Sequence, residues 1–278
     1  MYDNHEKLYH EYFNRRSECM REFQGFLIDL DGVLYMGDHA IDGAQAAIRF
    51  LEDNGYMYRY ISNTTRKSRQ TIVSYLSNLG FDIPISYIFT PPVAAVSYMK
   101  KTRRTGYYLI ATGDVYKDFE EVPGAGSDTK PDWVIIGDAG EKITYRSMNT
   151  AFRYLMEGAE LIALEKDRYW MAADGLSLSA GPFVQALEYA TGKTAMVMGK
   201  PSKAFFNLAL EDMHLRADQV AMIGDDIMTD IGGAHKAGMK GILVKTGKFR
   251  EDTVRAAGIT PDWVIESFSH IRDILPEK

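Results

Sequence analysis

The sequence predicts an α/β chain organised around a parallel sheet, and three observations carry that reading. Short apolar runs alternate with helix-length segments from residue 26 onward. One of these runs, Phe26-Leu27-Ile28, is uniformly apolar, as strands buried on both faces are. Clusters of acidic or polar residues follow several of the runs, where open parallel sheets bind ligands at the carboxyl ends of their strands. The first run passes directly into Asp29 and Asp31. Residues two apart share a face of a strand, so both carboxylates should emerge together where it ends. Asp31-Gly32 is also a common turn pair, but two like charges at one strand end repel unless a cation or shared proton resolves them.

The remaining elements follow in order. Helices are expected at 43–54, closed by Gly55, and at 68–79, stopped by Gly80, then at 147–157, 182–191, 202–212 and 231–237. Strands are expected at 57–61, 107–111, 133–136, 161–164, 195–198, 220–223 and 241–244. The first 22 residues are charged and aromatic without a clean period and read as a helical extension with no assigned chemistry. No tandem repeat or low-complexity linker interrupts the alternation.

Composition narrows the setting. With 46% hydrophobic and 25% charged residues in 278, usage is that of a globular protein of one large domain or two ordinary ones. A net charge of -6 argues against a general nucleic-acid or anionic-membrane surface. The single cysteine, Cys19, excludes an intramolecular disulfide and a thiolate metal cluster and fits a reducing compartment. Met1-Tyr2-Asp3-Asn4-His5-Glu6-Lys7 lacks the apolar core of a signal peptide, and no apolar stretch reaches the roughly 18 residues of a membrane span. A soluble, cytoplasmic protein is expected.

Three further clusters follow predicted strands. Ser62-Asn63-Thr64-Thr65 offers hydroxyl, amide and backbone donors suited to an anion, although such runs are often turns or helix caps. Lys200 stands in Gly199-Lys200-Pro201, a setting in which lysine is usually solvated. Gly224-Asp225-Asp226-Ile227-Met228-Thr229-Asp230 adds three carboxylates; one could cap a helix, but three exceed what capping needs. Other motifs fail. Thr191-Gly192-Lys193-Thr194 lacks the first glycine of a P-loop, where Leu187 stands. Gly124-Ala125-Gly126 has Thr129 where a dinucleotide site needs its third glycine, and the six histidines are scattered, without zinc spacing.

The order Asp-x-Asp, Ser-Asn, Lys, Gly-Asp-Asp-x3-Asp, each motif after an apolar strand, resembles the haloacid dehalogenase (HAD) superfamily of phosphotransferases. About 140 residues separate Ser62 from Lys200, far more than one crossover needs, and this insertion is similar to the superfamily's type II (C2) cap. The resemblance implies a Rossmann-like parallel-sheet core of residues 1–90 and 196–278 with an inserted α/β cap at 91–195. Within subfamily IIA, segments such as Gly137-Asp138-Ala139-Gly140, Tyr145-Arg146-Ser147-Met148-Asn149 and Val244-Lys245-Thr246-Gly247-Lys248 resemble the phospholysine phosphohistidine inorganic pyrophosphate phosphatase branch and its hydrolase relatives. That branch carries serine at the second motif position, where this chain has Asp31, a departure that favours the generic acid/base mechanism.

The resemblance implies a magnesium-dependent phosphatase for small phosphorylated metabolites. Asp29 would be the nucleophile, forming an aspartyl-phosphate, and Asp31 the general acid and base. Ser62, Asn63 and Lys200 would hold the phosphoryl group, with Lys200 also neutralising charge on the reacting atoms. Asp29, Asp225 and the main-chain carbonyl of Asp31 would ligate Mg2+, a hard ion that takes oxygen donors, while Asp226 and Asp230 would orient waters or Lys200. In the cap, Asp138 and Lys166 are the expected substrate readers. The expected partner is a small phosphorylated substrate, with no nucleic acid and no membrane; a homodimer through the cap is a further expectation. The alternatives are a phosphotransferase or mutase, a phosphohistidine or pyrophosphate phosphatase, and a non-catalytic phosphoryl-binding regulator.

Overall fold

The computed structural model describes residues 23–104, 106–124, 129–172 and 174–276. The expected N-terminal helical extension, with Cys19, lies outside them. In chain order come β1 (Gly25–Asp29), the ribbon β2 (Tyr35–Met36) and β3 (His39–Ala40), α1 (Ala44–Asp53), β4 (Met57–Ile61), α2 (Arg69–Asn78), β5 (Ile88–Phe89) and α3 (Pro91–Thr102). Then follow β6 (Tyr107–Ile110), β7 (Trp133–Ile136), α4 (Tyr145–Met156), β8 (Glu160–Ala163), β9 (Tyr169–Ala172), β10 (Gly175–Leu178), α5 (Gly181–Thr191), β11 (Met196–Val197) and α6 (Lys203–Met213). The chain closes with β12 (Val220–Gly224), α7 (Gly232–Ala237), β13 (Lys240–Val244), α8 (Glu251–Ala257), β14 (Trp263–Ile265) and α9 (Ile271–Ile274). Among the described residues, no helix is long and apolar enough to cross a membrane.

The fold is α/β with parallel sheets, as the sequence predicts. Several elements escape the apolar pattern. Helix α3 begins on Pro91-Pro92, which reads as a break, yet proline is at home in a first helical turn, where its missing N–H has no partner to lose. Helix α4 starts two residues earlier than expected because Thr144 caps it: its hydroxyl accepts from the Ser147 N–H at 3.1 Å, and the Ser147 hydroxyl accepts from the Thr144 N–H at 2.9 Å.

The chain divides into two units, 1–60 with 210–278, and 61–209. In the first, the strand order is β14-β13-β12-β1-β4. Strand β1 pairs in parallel with β12, Gly25 opposite Val220 and Ile28 opposite Ile223; β12 pairs likewise with β13, and β13 with β14. Every residue of β1 and β12 is buried, which explains their unbroken apolar sequences. Strand β4 lies on one side of β1, whereas β12, reached much later in the chain, lies on the other. The order therefore switches at β1, where open α/β sheets form their binding crevices.

The second unit has its own parallel sheet, β11-β8-β7-β6. Val134, Ile136, Leu161 and Ala163 of that sheet pack with Ala151 and Leu155 of α4 and with Val184 and Leu187 of α5. The N-terminus of α2 is fastened to a 3-10 turn at Val115–Phe119 and the residue before it. Asp114 accepts from the Ser68 N–H at 2.8 Å, the Ser68 hydroxyl at 2.7 Å and the Thr71 hydroxyl at 2.6 Å. Burial alone would raise the Asp114 pKa, but these bonds and one from Lys117 outweigh it and hold the carboxyl far below its ordinary 3.8. A depressed carboxylate contributes stability that is present above the unfolded pKa, here 3.8, and is lost as the pH falls below it. Asp114→Asn is thus expected to cost about 1–3 kcal/mol at pH 7 and less at pH 3. Urea midpoints at the two pH values check this; an equal loss at both would detach the effect from the charge.

Candidate active site

The carboxyl end of β1 and the loop after β12 deliver three carboxylates to one place in the first unit. Asp29, Asp225 and Asp230 are all buried, and each offers an oxygen within 4.8 Å of the others. At an effective dielectric of about 20, each pair of ionised groups at this separation repels by about 3 kcal/mol or more. Such an arrangement persists through a proton or a cation, and an all-oxygen donor set of this charge fits a hard divalent ion.

Local structure explains the placement. After β12 the chain makes a wide, π-type turn over Ile227–Ile231. Asp226 caps it, accepting from the N–H groups of Met228 at 2.9 Å and Thr229 at 3.0 Å. The Asp226 N–H donates to Asp230 Oδ2 at 3.1 Å, which fixes that carboxylate under the turn. Turns of this width recur at functional sites because they redirect a side chain without ending the helix. Asp230, assigned an orienting role from the sequence, is therefore the third member of the carboxylate group. Asp226 stands outside that group as a cap, with the Lys248 ammonium 3.8 Å away.

Asp225 is held from the loop after β13, a part of the site that motif reading left without a role. The Lys248 N–H donates to Asp225 Oδ2 at 2.7 Å, and the Thr246 hydroxyl donates to the Gly32 carbonyl. Gly32 and Gly247 both adopt positive φ, and a Cβ at either would stand 2.0 Å from Asp225 Oδ2. Only glycine lets both backbones close on the carboxylate. Asp31 lies two residues past β1 with an exposed side chain, its backbone bridged to Tyr35.

Within the second unit, two motifs distant in sequence are clasped together. The Asn63 side-chain amide donates to the Lys200 carbonyl at 2.9 Å and its oxygen accepts from the Lys200 N–H at 2.7 Å. Lys200 is buried, an uncommon state for a lysine. Ser62 donates its N–H to the Phe89 carbonyl at 3.3 Å, and its hydroxyl accepts from the Thr64 N–H at 3.3 Å.

The two residues expected to read substrate are both engaged in ion pairs. The Lys166 ammonium lies 2.6 Å from Glu188 Oε2. Burial would raise the Glu188 pKa, but the hydrogen bonds from Lys166 and the Ala195 N–H, with the Lys166 charge, hold it below its ordinary value. Asp138 is buried, 3.4 Å from Arg66 Nη1, and its N–H donates to the Thr65 hydroxyl oxygen at 3.2 Å. The neighbouring Glu165 accepts from the Ser179 hydroxyl at 2.6 Å and the Ala180 N–H at 2.8 Å, yet burial outweighs these bonds and pushes its pKa up. Glu165 thus acts as an internal tie between the segment before β9 and the start of α5.

A buried carboxylate group at the switch point of a parallel sheet defines an α/β protein with an oxygen-donor site suited to a cation, and comparison with known proteins narrows the class. The haloacid dehalogenase-like hydrolase family model matches residues 26–123, and a HAD-hydrolase-like model matches 197–271. The haloacid dehalogenase-like hydrolase domain-containing protein 2 of Bos taurus is 42% identical over 256 residues, covering 91% of this chain and 96% of the relative. The phospholysine phosphohistidine inorganic pyrophosphate phosphatase of Danio rerio is 38% identical over 265 residues, covering 93% and 96%. A solved 4-nitrophenylphosphatase of Thermotoga maritima superposes with a TM-score of 0.82 at 25% identity, covering 92% of this chain and 98% of that one. The chain belongs to the haloacid dehalogenase-like hydrolases. Within them it is a phosphatase.

Proposed function

We propose that this phosphatase depends on magnesium, acts on small phosphorylated metabolites and works through an aspartyl-phosphate on Asp29. The observation that carries the proposal is the buried group of Asp29, Asp225 and Asp230 at the switch point of the sheet. Those three residues, with the main-chain carbonyl of Asp31, would hold Mg2+. The bound ion would neutralise charge between an anionic nucleophile and an anionic substrate.

The Asp29 carboxylate attacks phosphorus in line; the new Asp29 O–P bond forms as the P–O bond to the leaving alcohol breaks, and Asp31 gives that oxygen its proton. In the second step Asp31 takes a proton from water, whose oxygen attacks phosphorus, breaking the Asp29 O–P bond and releasing inorganic phosphate. Ser62, Asn63 and Lys200 keep their phosphoryl-binding role in this reading, supported by the clasp between Asn63 and Lys200. Residues 91–195 are its cap, with Asp138 and Lys166 as substrate readers and 1–90 with 196–278 as its core. A homodimer through the cap also belongs to it. Support for this last point comes from Tyr169, Met171, Leu176 and Leu178, which sit opposite one another on the β9–β10 ribbon and are exposed.

Phosphate release from p-nitrophenyl phosphate tests the proposal. Exhaustive chelation is expected to stop turnover and added Mg2+ to restore it, with Ca2+ a poor substitute because its coordination shell is larger and more variable. Undiminished turnover in protein shown by metal analysis to be metal-free would remove the ion from the reaction.

A further inference from the structure

The loop that follows Ser62-Asn63 carries a cation to which the reading above gives no task. Arg66 leaves 45% of its side chain accessible, and its guanidinium meets two groups of its own unit. Nη1 donates to Asp138 Oδ2 at 3.4 Å, and the group lies over the Trp170 ring, 5.1 Å from its centroid. Both supports are themselves fixed. Asp138 is buried and its Oδ1 accepts from the Gly140 N–H at 3.3 Å; Trp170 sits in β9, opposite Ser177 of β10. The backbone is fixed as well, because a Cβ at Gly113 would stand 1.8 Å from the Arg66 carbonyl oxygen.

This is more support than a solvated arginine needs, and less hydrogen bonding than a structural one makes. A guanidinium has five N–H donors in a planar fork. Among the described residues Arg66 donates one hydrogen bond, a long one. The contact is long and the guanidinium half-exposed, so an incoming oxyanion displaces little by engaging the fork. A cation–π contact with the indole holds the guanidinium in place without consuming its donors. Arg66 stands four positions after Ser62, so their Cα atoms are at most about 14 Å apart. Neighbours this close in the chain can serve one small substrate, its phosphate held at Ser62 and Asn63 and a second oxyanion met by the long Arg66 side chain.

Resting on the phosphatase reading, we infer that Arg66 is a specificity-determining residue whose guanidinium binds a second oxyanion, carboxylate or phosphate, on the part of the substrate that becomes the leaving alcohol. Asp138 and Trp170 are positioning residues that hold it, so the substrate-reading role proposed for Asp138 is exerted through Arg66. The preferred substrates are then monoesters bearing two separated anionic groups.

Matched pairs of substrates test this: phenyl phosphate against 4-carboxyphenyl phosphate, glycerol 3-phosphate against 3-phosphoglycerate, and fructose 6-phosphate against fructose 1,6-bisphosphate. Arg66→Met is expected to lower kcat/KM for the doubly anionic member about 10- to 100-fold, chiefly through KM, while its partner changes less than about two-fold. The two carboxylated pairs and the bisphosphate pair show which oxyanion is read. Arg66→Lys should recover only part of the loss, since an ammonium lacks the fork. Equal losses on both members of every pair would mean a structural role and overturn the inference, as would no loss on any. Wild-type protein that releases phosphate from none of the six compounds would instead overturn the phosphatase reading, and this inference with it.

Discussion

With Asp29 replaced by asparagine, turnover of every phosphate monoester is expected to fall on the order of 10⁴-fold or more while the fold survives. The substitution keeps shape and volume but removes the attacking anion, and no uncharged amide can form the acyl phosphate through which the proposed reaction divides into two displacements. Losses of this size are usual when a nucleophile is removed, because the remaining groups act as a unit with it. A second readout separates this from simple misfolding. Asp29 is one of three buried carboxylates within 4.8 Å of one another, so neutralising it relieves repulsion of about 3 kcal/mol per ionised pair. In chelator, Asp29→Asn should therefore melt no lower than the parent protein. A variant that keeps near-normal kcat would remove Asp29 as nucleophile; one that melts far below the parent in chelator would show that the carboxylate is needed for packing.

Much of this site was legible because apolar strands announce themselves and the residues that end them are polar. Phe26-Leu27-Ile28 and Val220-Ala221-Met222-Ile223 could hardly be anything but buried strands, and the carboxylates that follow them stand out against that background. What stayed hidden depends on contacts between residues far apart in sequence or on turns without a compositional signal. The role of Asp230 needed the wide turn over Ile227–Ile231, and nothing in Ile-Met-Thr-Asp-Ile distinguishes it from an ordinary helical turn. The support of Asp225 by the Lys248 N–H links residues 23 apart, and the clasp between Asn63 and Lys200 links residues 137 apart. Thr246-Gly247-Lys248 carried one usable hint, a glycine three residues after a buried strand, where a backbone can approach something closely. Arg66 was overlooked because one arginine in a polar loop has no pattern; only the placement of Asp138 and Trp170 gives it a role. The exposed apolar face of the β9–β10 ribbon was missed for the same reason, since alternation over four residues is too short to stand out.

Asp31→Asn is expected to slow turnover by about 10²- to 10⁴-fold, but by an amount that depends on the leaving group. The side chain is exposed and its backbone is bridged to Tyr35, so the substitution should leave stability within about 0.5 kcal/mol of the parent. A residue with so little structural task isolates the proton transfers. An alkoxide leaves poorly without a proton, whereas p-nitrophenolate leaves readily without one, so the first step should be crippled for alkyl phosphates and nearly spared for p-nitrophenyl phosphate. Plotted against leaving-group pKa, log kcat/KM should fall more steeply for the variant than for the parent. The second step follows different logic, because water must still be deprotonated whatever group has left. With p-nitrophenyl phosphate the variant should then form the aspartyl-phosphate quickly and hydrolyse it slowly, giving a burst of about one equivalent of p-nitrophenol per protein before a slow steady state. Parallel plots for variant and parent would remove Asp31 as the acid, and a steeper plot without a burst would leave it the acid but assign deprotonation of the attacking water to another group.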